Sequence, residues 1–461
     1  MAGLEYATTN VFLKPKFDKL VDVIRRKYPL LSMLKKSPWT STGRYVAKTL
    51  KYSPGGGLSA GSAAAATVTR GNTGAAGSLL SGFSVAQANV TAPQAVECQL
   101  PLYNFYGVQQ ADGPFMAVSK GNDAAYIKGI MDLLKDAITQ VDLQLSVSLF
   151  GTGRGSFGQV QAVTAGTAGG GGLGSADGHI HMGNSTLGVV PAQTNCLEVG
   201  MYLKFAATNE YAACRADYVQ VSKIDRVNGI VYYILVADSD DNNITADDYV
   251  FIMGHAIATA STALTGAKVF PGLQGWCPSS ASSSFLNFDQ TLDSRLAGYY
   301  IAPAAGAYGS REELLIDVLG DAAAINGAEI THIVTSTYQF QQMLKEVGGK
   351  VTWNKDGVAS RDQSGPRADL SFASLSIWGA SGIVQVFADP HCPKMKFFGF
   401  NEDTIGLISP EKTLPHTLAE DGNKILRVYN GDVYEARCGA YTTLDASEGT
   451  KDLVHIDASN L

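Results

Sequence analysis

Ser148-Leu-Phe-Gly-Thr-Gly-Arg-Gly-Ser-Phe-Gly158 places glycines at 153, 155 and 158, the G-x-G-x-x-G spacing that cradles a pyrophosphate when it follows a strand and opens a helix. Here the order is reversed. Upstream, Ala124, Ile127, Ile130, Met131, Leu134, Ile138, Val141, Leu145 and Leu149 recur at helical spacing. They predict one amphipathic helix over 122–150, capped by Asn122 or Asp123 and roughly 40 Å long. Downstream the sequence is β-like. The glycines therefore meet the electronegative C-terminus of a helix, and the stretch reads as a joint with no phosphate to hold.

Other candidate chemistry is equally thin. No GxxxxGK[ST] string occurs. Asp238-Ser-Asp240-Asp241-Asn242-Asn243 resembles half a calcium loop, but Asn243 stands where the turn glycine belongs and Tyr249 where the bidentate glutamate belongs, so a solvated turn is expected. His179-Ile-His181 offers two nitrogens, yet it sits among glycines without a second ligand pair and is read as loop. Ala380-Ser381-Gly382 lacks the first glycine of a nucleophile elbow, and no histidine has a recognisable serine or cysteine partner. Glu312 and Glu313 are helix neighbours that do not face one another. The expectation is a protein that is not an enzyme, with no catalytic residues, cofactor or metal.

The bulk numbers agree with a non-catalytic role. The 461 residues exceed one ordinary core, so two to four domains or subdomains are expected. Charged residues make up only 17%, against about a quarter in ordinary soluble domains, which suggests a surface covered by neighbours. A net charge of −7 excludes a uniformly basic nucleic-acid binder. The six cysteines are scattered without a CxxC pair, which fits a reducing compartment. No signal-peptide pattern opens the chain and no run of apolar residues is long enough to cross a membrane as a helix, so a soluble, cytosolic chain without a cleaved leader is expected.

Either side of the predicted helix, the chain has a marked organisation. Residues 14–51 carry eleven Lys or Arg against Asp18 and Asp22, and Phe17, Leu20, Val21, Ile24 and Tyr28 fall at helical spacing, making a basic amphipathic arm. From Ser53 to Ala92 small residues dominate and Arg70 is the only charge. Alternating stretches, Arg44–Tyr52 and Ala95–Phe105, flank this segment, so the unit reads as a long β-hairpin with a small-residue tip. Ordering some forty tip residues costs about 1 kcal/mol or more each, so a partner surface must compensate.

Beyond Gly158, Met201–Phe205, Tyr218–Ile224, Ile230–Val236 and Tyr249–Ile252 read as strands, with an Asn228-Gly229 hairpin turn, in a β-rich insertion over 158–270. The remainder is α+β without βαβ repetition. Helices are expected at Arg311–Leu319 and Thr337–Glu346, and strands at Thr331–Thr335, Ile383–Phe387, Lys396–Phe400 and Val433–Arg437.

This order of parts resembles the major capsid protein family of tailed bacteriophages, the Hong Kong 97-type fold, shared in outline with encapsulin shells. Arg295-Leu-Ala-Gly298, Ile333-Val-Thr-Ser-Thr337 before a helix, Ala388-Asp-Pro-His-Cys-Pro393 followed by Phe397-Phe-Gly-Phe400, and Tyr434-Glu-Ala-Arg437 add to the likeness. The resemblance implies an N-terminal arm over 1–43, an extended loop (E-loop) over 44–105, and a peripheral-domain part over 106–157 with its spine helix. It further implies that 271–461 form the remaining peripheral domain and the axial domain. The implied function is the icosahedral head shell around packaged double-stranded DNA, with an encapsulin-like cargo compartment as the alternative.

The implied partners are other copies as hexamers and pentamers, a portal, packaged DNA and a decoration protein, with no membrane. The chain reaches its arm almost at once, so a separate scaffolding protein is implied. Its place would be the virion, assembled in the host cytoplasm. Leu79, Leu80 and Phe83 at the tip are the expected inter-subunit contacts. The tip has no lysine, and Lys48 and Lys51 sit at the hairpin base, so no covalent crosslink is expected there.

Overall fold

Between Asp123 and Ser148 the chain forms a single helix, α1. Its apolar stripe is buried: Ala137, Val141, Leu145 and Leu149 have no exposed surface. In the computed structural model, the described residues are 28–41, 43–56, 89–113, 123–164, 178–209, 218–235, 244–253, 268–348, 375–379, 382–411, 413–418, 425–428 and 431–460. The capping position expected at Asn122 lies outside them, as do the basic helix expected before Tyr28, the hairpin tip and the aspartate-rich turn at 238–243.

Helix α1 lies across a six-stranded sheet organised by its longest strand, Val433–Asp445. Tyr103–Asp112 pairs antiparallel along that strand from Val433↔Asp112 to Thr442↔Tyr103. Its other side takes Ile425–Arg427, His416–Thr417 and Gly406–Ser409 in turn. Close approach of helix and sheet depends on Gly107, because a Cβ there would stand 2.5 Å from the Ala137 carbonyl oxygen. The same core takes in Phe105, Leu407, Ala440 and Leu444.

A second sheet orders Tyr299–Ile301, Val454–Asp457, Lys396–Phe400, His332–Ser336, Gly382–Asp389 and Leu375–Gly379. Helices α2 (Arg311–Asn326) and α3 (Thr337–Gly348) belong to this part of the chain. Leu314, Leu315, Val318, Phe340 and Met343 meet Ile333, Val384 and Phe397 in its core. Ser310 caps α2 by accepting a hydrogen bond from the Glu313 amide, and Gly327 ends it in the left-handed conformation. Strands His332–Ser336 and Gly382–Asp389 pair in parallel, as do Tyr299–Ile301 and Val454–Asp457, and the remaining pairs of this sheet are antiparallel.

The strands from Ser156 to Ile252 form a seven-stranded sheet that closes on itself. Ile230–Leu235, Val219–Asp225, Tyr202–Ala206, Tyr249–Ile252, Ser156–Thr164 and Gly178–Asn184 pair in that order, and Gly178–Asn184 pairs again with Ile230–Leu235. Closure removes sheet edges and encloses Val160, Ile180, Met182, Leu203, Val221, Val231, Tyr233 and Val250. This barrel is richer in strands than the sequence suggests, since Gly178–Asn184 falls in a stretch expected to be a glycine-rich loop. The turn after Val219–Asp225 also spans four residues, not two, because Asp225 pairs with Ile230. The Asp225 carboxylate satisfies it by accepting from the amides of Val227 and Asn228, both at 3.1 Å.

The hairpin differs from expectation in one respect. Tyr45–Ser53 pairs with Gln94–Pro101, but the returning strand ends there, and Tyr103–Phe105 belongs to the first sheet.

Candidate assembly surfaces

The described half of the hairpin is not a free arm. Alternation puts Val46, Leu50, Cys98 and Leu100 on one face, and all four enter the main core. Burial, with the nearby Asp445 carboxylate, pushes the Cys98 thiol up to about 12. Polar contacts fix the rest: Lys48 Nζ donates to Asp445 at 2.6 Å and to Glu448 at 2.9 Å. The Arg295 guanidinium donates to the Tyr52 carbonyl at 2.7 Å while paired with Asp293. The outer face keeps Tyr45, Thr49, Lys51, Ala95 and Glu97 exposed. The base is thus a fixed bracket from which residues 57–88 depart. Leu79, Leu80 and Phe83 lie outside the described residues.

The end of the expected N-terminal arm is likewise part of the body. Pro29–Met33 forms one helical turn, and Lys35–Pro38 runs parallel to Gly406–Ser409 in the first sheet. The Leu30 amide donates to Asp389 Oδ2 at 3.2 Å, and the Tyr28 ring stacks on His391 with centroids 5.4 Å apart. Asp389 also accepts from the His391 amide at 2.8 Å. These residues lie in the Asp389-Pro-His-Cys-Pro393 motif, which here seats Tyr28 and Leu30 beside the second sheet.

His391 does have a serine neighbour, contrary to the sequence reading: Ser146 Oγ lies 3.2 Å from its Nδ1. The arrangement is not that of a nucleophile and base. The nearest Asp389 oxygen approaches the same ring nitrogen, at 3.6 Å, and the side chains of His391 and Asp389 have no exposed surface. A triad needs the acid and the nucleophile on opposite nitrogens. His179 and His181, expected in a loop, stand on the strand Gly178–Asn184, half-buried and side by side, with ring centroids 5.5 Å apart. Barrel pairing with Ile230–Leu235 overrides the local glycines. Among the described residues no group of three or more His, Cys, Asp or Glu is placed to hold a metal ion, and no helix there is long and apolar enough to cross a membrane.

The glycine stretch forms a locked joint. Helix α1 ends at Ser148, a strand begins at Ser156, and Gly153 and Gly155 between them adopt φ of +85° and +88°. The carbonyls just past the helix end are satisfied from far along the chain: Leu273 N–H donates to Leu149 O at 2.7 Å and Gly272 N–H to Gly151 O at 3.0 Å. Helix ends leave such carbonyls unsatisfied, and here Pro271–Leu273 supplies the donors. Gly153 packs on Pro271, where a Cβ would sit 3.0 Å from Pro271 Cα. The two chain segments entering and leaving the barrel are therefore bound together at its base.

One carboxylate on α1 is electrostatically strained. Burial raises Asp142 from 3.8 to about 6, with Lys36 opposing the shift. For an acid so raised, the unfolded chain ionises first as pH climbs from 3.8 to about 6, so stability falls across that window. Asp142→Asn is expected to stabilise the subunit by about 2 kcal/mol at pH 7.5 and by nothing near pH 3.5, read from urea unfolding midpoints.

Among the described residues, two sheet faces expose apolar side chains. On the first sheet, Tyr106 (50% exposed) and Val108 (45%) point away from α1. Tyr106 lies edge-on to Tyr441, whose ring lies 5.0 Å from His416. On the second sheet, Trp378 and Ile383 stand side by side near its edge.

No protein-family model matches the chain, and comparison with curated proteins finds no match. Among solved structures, the chain is similar to one in the cyanophage A-1(L) capsid asymmetric unit, with 12% identity, 96% of each chain covered and a TM-score of 0.51. A chain of Microbacterium phage Oxtober96 (9% identity, 99% of each chain, TM-score 0.40) and one of the Myoviridae phage XM1 capsid (8%, 99% and 100%, TM-score 0.38) also align along their length. In the first, the alignment takes in nearly the whole of both chains. With its long helix crossing one sheet, its bracketed hairpin, its second α+β layer and its barrel, the chain has the Hong Kong 97-type capsid fold.

Proposed function

We propose that this chain is the major capsid protein of a tailed bacteriophage, many copies of which tile an icosahedral head around packaged double-stranded DNA. The observation that carries the reading is the whole-chain likeness to a cyanophage capsid subunit, 96% of each chain at a TM-score of 0.51. The composition supports it: a chain with only 17% charged residues and, among the described residues, two sheet faces that expose apolar side chains is suited to being surrounded by copies of itself.

In this reading residues 57–88 leave the fixed bracket and lie on a neighbouring subunit, with Leu79, Leu80 and Phe83 as anchors. Many weak contacts per subunit then sum to a stable shell, each one reversible enough to correct errors. Hexamers and pentamers supply the closed rings that curvature requires. The assembly takes place in the host cytoplasm. A separate scaffolding protein and a portal direct it, and a decoration protein is a further partner. The barrel, held rigidly at its base, projects as an accessory module. No catalytic role is assigned.

The test is assembly itself. Purified chain, alone or with the scaffolding protein, is expected to form closed particles of uniform diameter by electron microscopy and fast-sedimenting species by ultracentrifugation. Monomers or small oligomers under every condition would overturn the proposal. Particles isolated from infected cells and filled with one protein, with no nuclease-protected DNA, would overturn its DNA-packaging part.

A further inference from the structure

The edge hairpin of the second sheet presents an apolar pair that the described residues leave exposed. Trp378 on Leu375–Gly379 is directly opposite Ile383 on Gly382–Asp389. They are 76% and 54% exposed. Their neighbours Ile377 and Val384, also directly opposite one another, are 7% and 1% exposed and face the core beneath α2. Strand side chains alternate, so burying Ile377 and Val384 obliges Trp378 and Ile383 to face outward. A change of rotamer cannot hide an indole placed on the wrong side of a sheet.

Among the described residues the same strand is the last in its sheet, and one row of its backbone donors and acceptors has no strand partner there. Natural proteins blunt such edges with charge, proline or cover. This one carries none of the first two: Leu375-Ser-Ile-Trp-Gly379 is uncharged, and exposed Ser376 and Gln385 complete a neutral face. A nucleic acid would need cations here, which the face does not offer. Tryptophan, by contrast, is the residue type most enriched where protein interfaces concentrate their energy. The pair presents on the order of 200–300 Å² of apolar surface, a hot-spot core that needs a larger contact around it.

Resting on the shell reading above, we infer that Trp378 and Ile383 are an anchor for a second copy of this chain, covered only when subunits assemble. The occupant is another subunit because the face is neutral, apolar and on a sheet edge, in a chain whose fold is that of a repeated shell unit. Covering it also protects the exposed edge from non-specific strand pairing.

The experiment compares acrylamide quenching of tryptophan fluorescence in dissociated subunits and in particles assembled from purified chain, alone or with the scaffolding protein. Trp378 is isolated as the difference between wild type and Trp378→Phe, which retains an aromatic ring. The Trp378 component is expected to be freely quenched in subunits, and its quenching constant to fall at least threefold in particles. Trp378→Ser is expected to lower particle yield at least tenfold while circular dichroism and thermal unfolding of the free subunit stay unchanged.

Equal quenching in the two states would overturn the inference, as would full assembly of Trp378→Ser. Shielding already present in free subunits would also overturn it, and would assign the face to the chain's own residues 349–374. If wild type never assembles, the shell reading fails and this inference falls with it. If it assembles normally while Trp378 stays accessible, only the inference fails.

Discussion

Gly272→Ala is expected to lower the subunit's stability by at least about 3 kcal/mol and to leave most of the protein insoluble on expression. Gly272 has an ordinary φ of −84°, so the cost is not one of conformation. A Cβ at this position would stand 2.3 Å from both the Ser148 and the Leu149 carbonyl oxygens. The chain would have to withdraw from the end of α1, losing the bonds from Gly272 N–H to Gly151 O and from Leu273 N–H to Leu149 O. Trp276, Leu273 and Phe270, all buried, would shift with it. Gly188→Ala is the matched control: its φ is +65°, but nothing lies within 4 Å of the added atom, so it should cost only about 1 kcal/mol. Urea midpoints for the two variants, measured side by side, decide between a buried collision and a generic glycine effect. Equal losses would refute the capping role assigned to Pro271–Leu273.

Acidification is the second large effect. His455 lies in the second sheet on Val454–Asp457, with its ring stacked on Phe398 at 4.8 Å and edge-on to Tyr300 at 5.0 Å. Its Nδ1 is 2.9 Å from the Cys277 carbonyl, to which it donates. Burial, aided by the nearby Lys396 ammonium, lowers this histidine from 6.5 to about 3, while the bond to Cys277 pulls the other way. The folded chain therefore holds it neutral and the unfolded chain protonates first. Its contribution is complete above pH 6.5 and is lost as pH falls from 6.5 toward 3, about 4 kcal/mol in all. His455→Asn keeps a donor for Cys277 and cannot titrate in this range, so its stability should fall less steeply between pH 6.5 and 3.5 than that of wild type. Parallel pH profiles for the two proteins would refute the assignment.

The long helix and the meaning of its terminal glycines were legible because both are local. A 3.6-residue period over some seven turns has few competing explanations. A glycine cluster at a helix C-terminus also has the wrong dipole for phosphate. The two helices beside the second sheet and the strands Lys396–Phe400 and Tyr249–Ile252 were read for the same reason. The strand Gly178–Asn184 was not, because its glycines and histidines have weak β propensity; it forms a strand because its partners close a barrel around Val160, Ile180 and Met182. His179 and His181 were placed in a loop by that same error.

Sites made by distant residues were invisible in principle. The contact of Ser146 with His391 joins positions 245 apart, and that of Leu30 with Asp389 positions 359 apart. The anchoring of the hairpin by Lys48 and Asp445 spans 397. A solitary alternating hairpin suggests a projecting arm. Only the body's surface shows that its inner face is already occupied.

What the sequence by itself determined is the run of hairpin, helix, joint, β-rich strands and α+β remainder, since each is set by local period, turn chemistry or composition. The tertiary structure decided which of those parts are held and which are left over. Ile377 and Trp378 are both apolar neighbours on paper, and only the packing of α2 against one side of the sheet leaves Ile377 buried and Trp378 exposed.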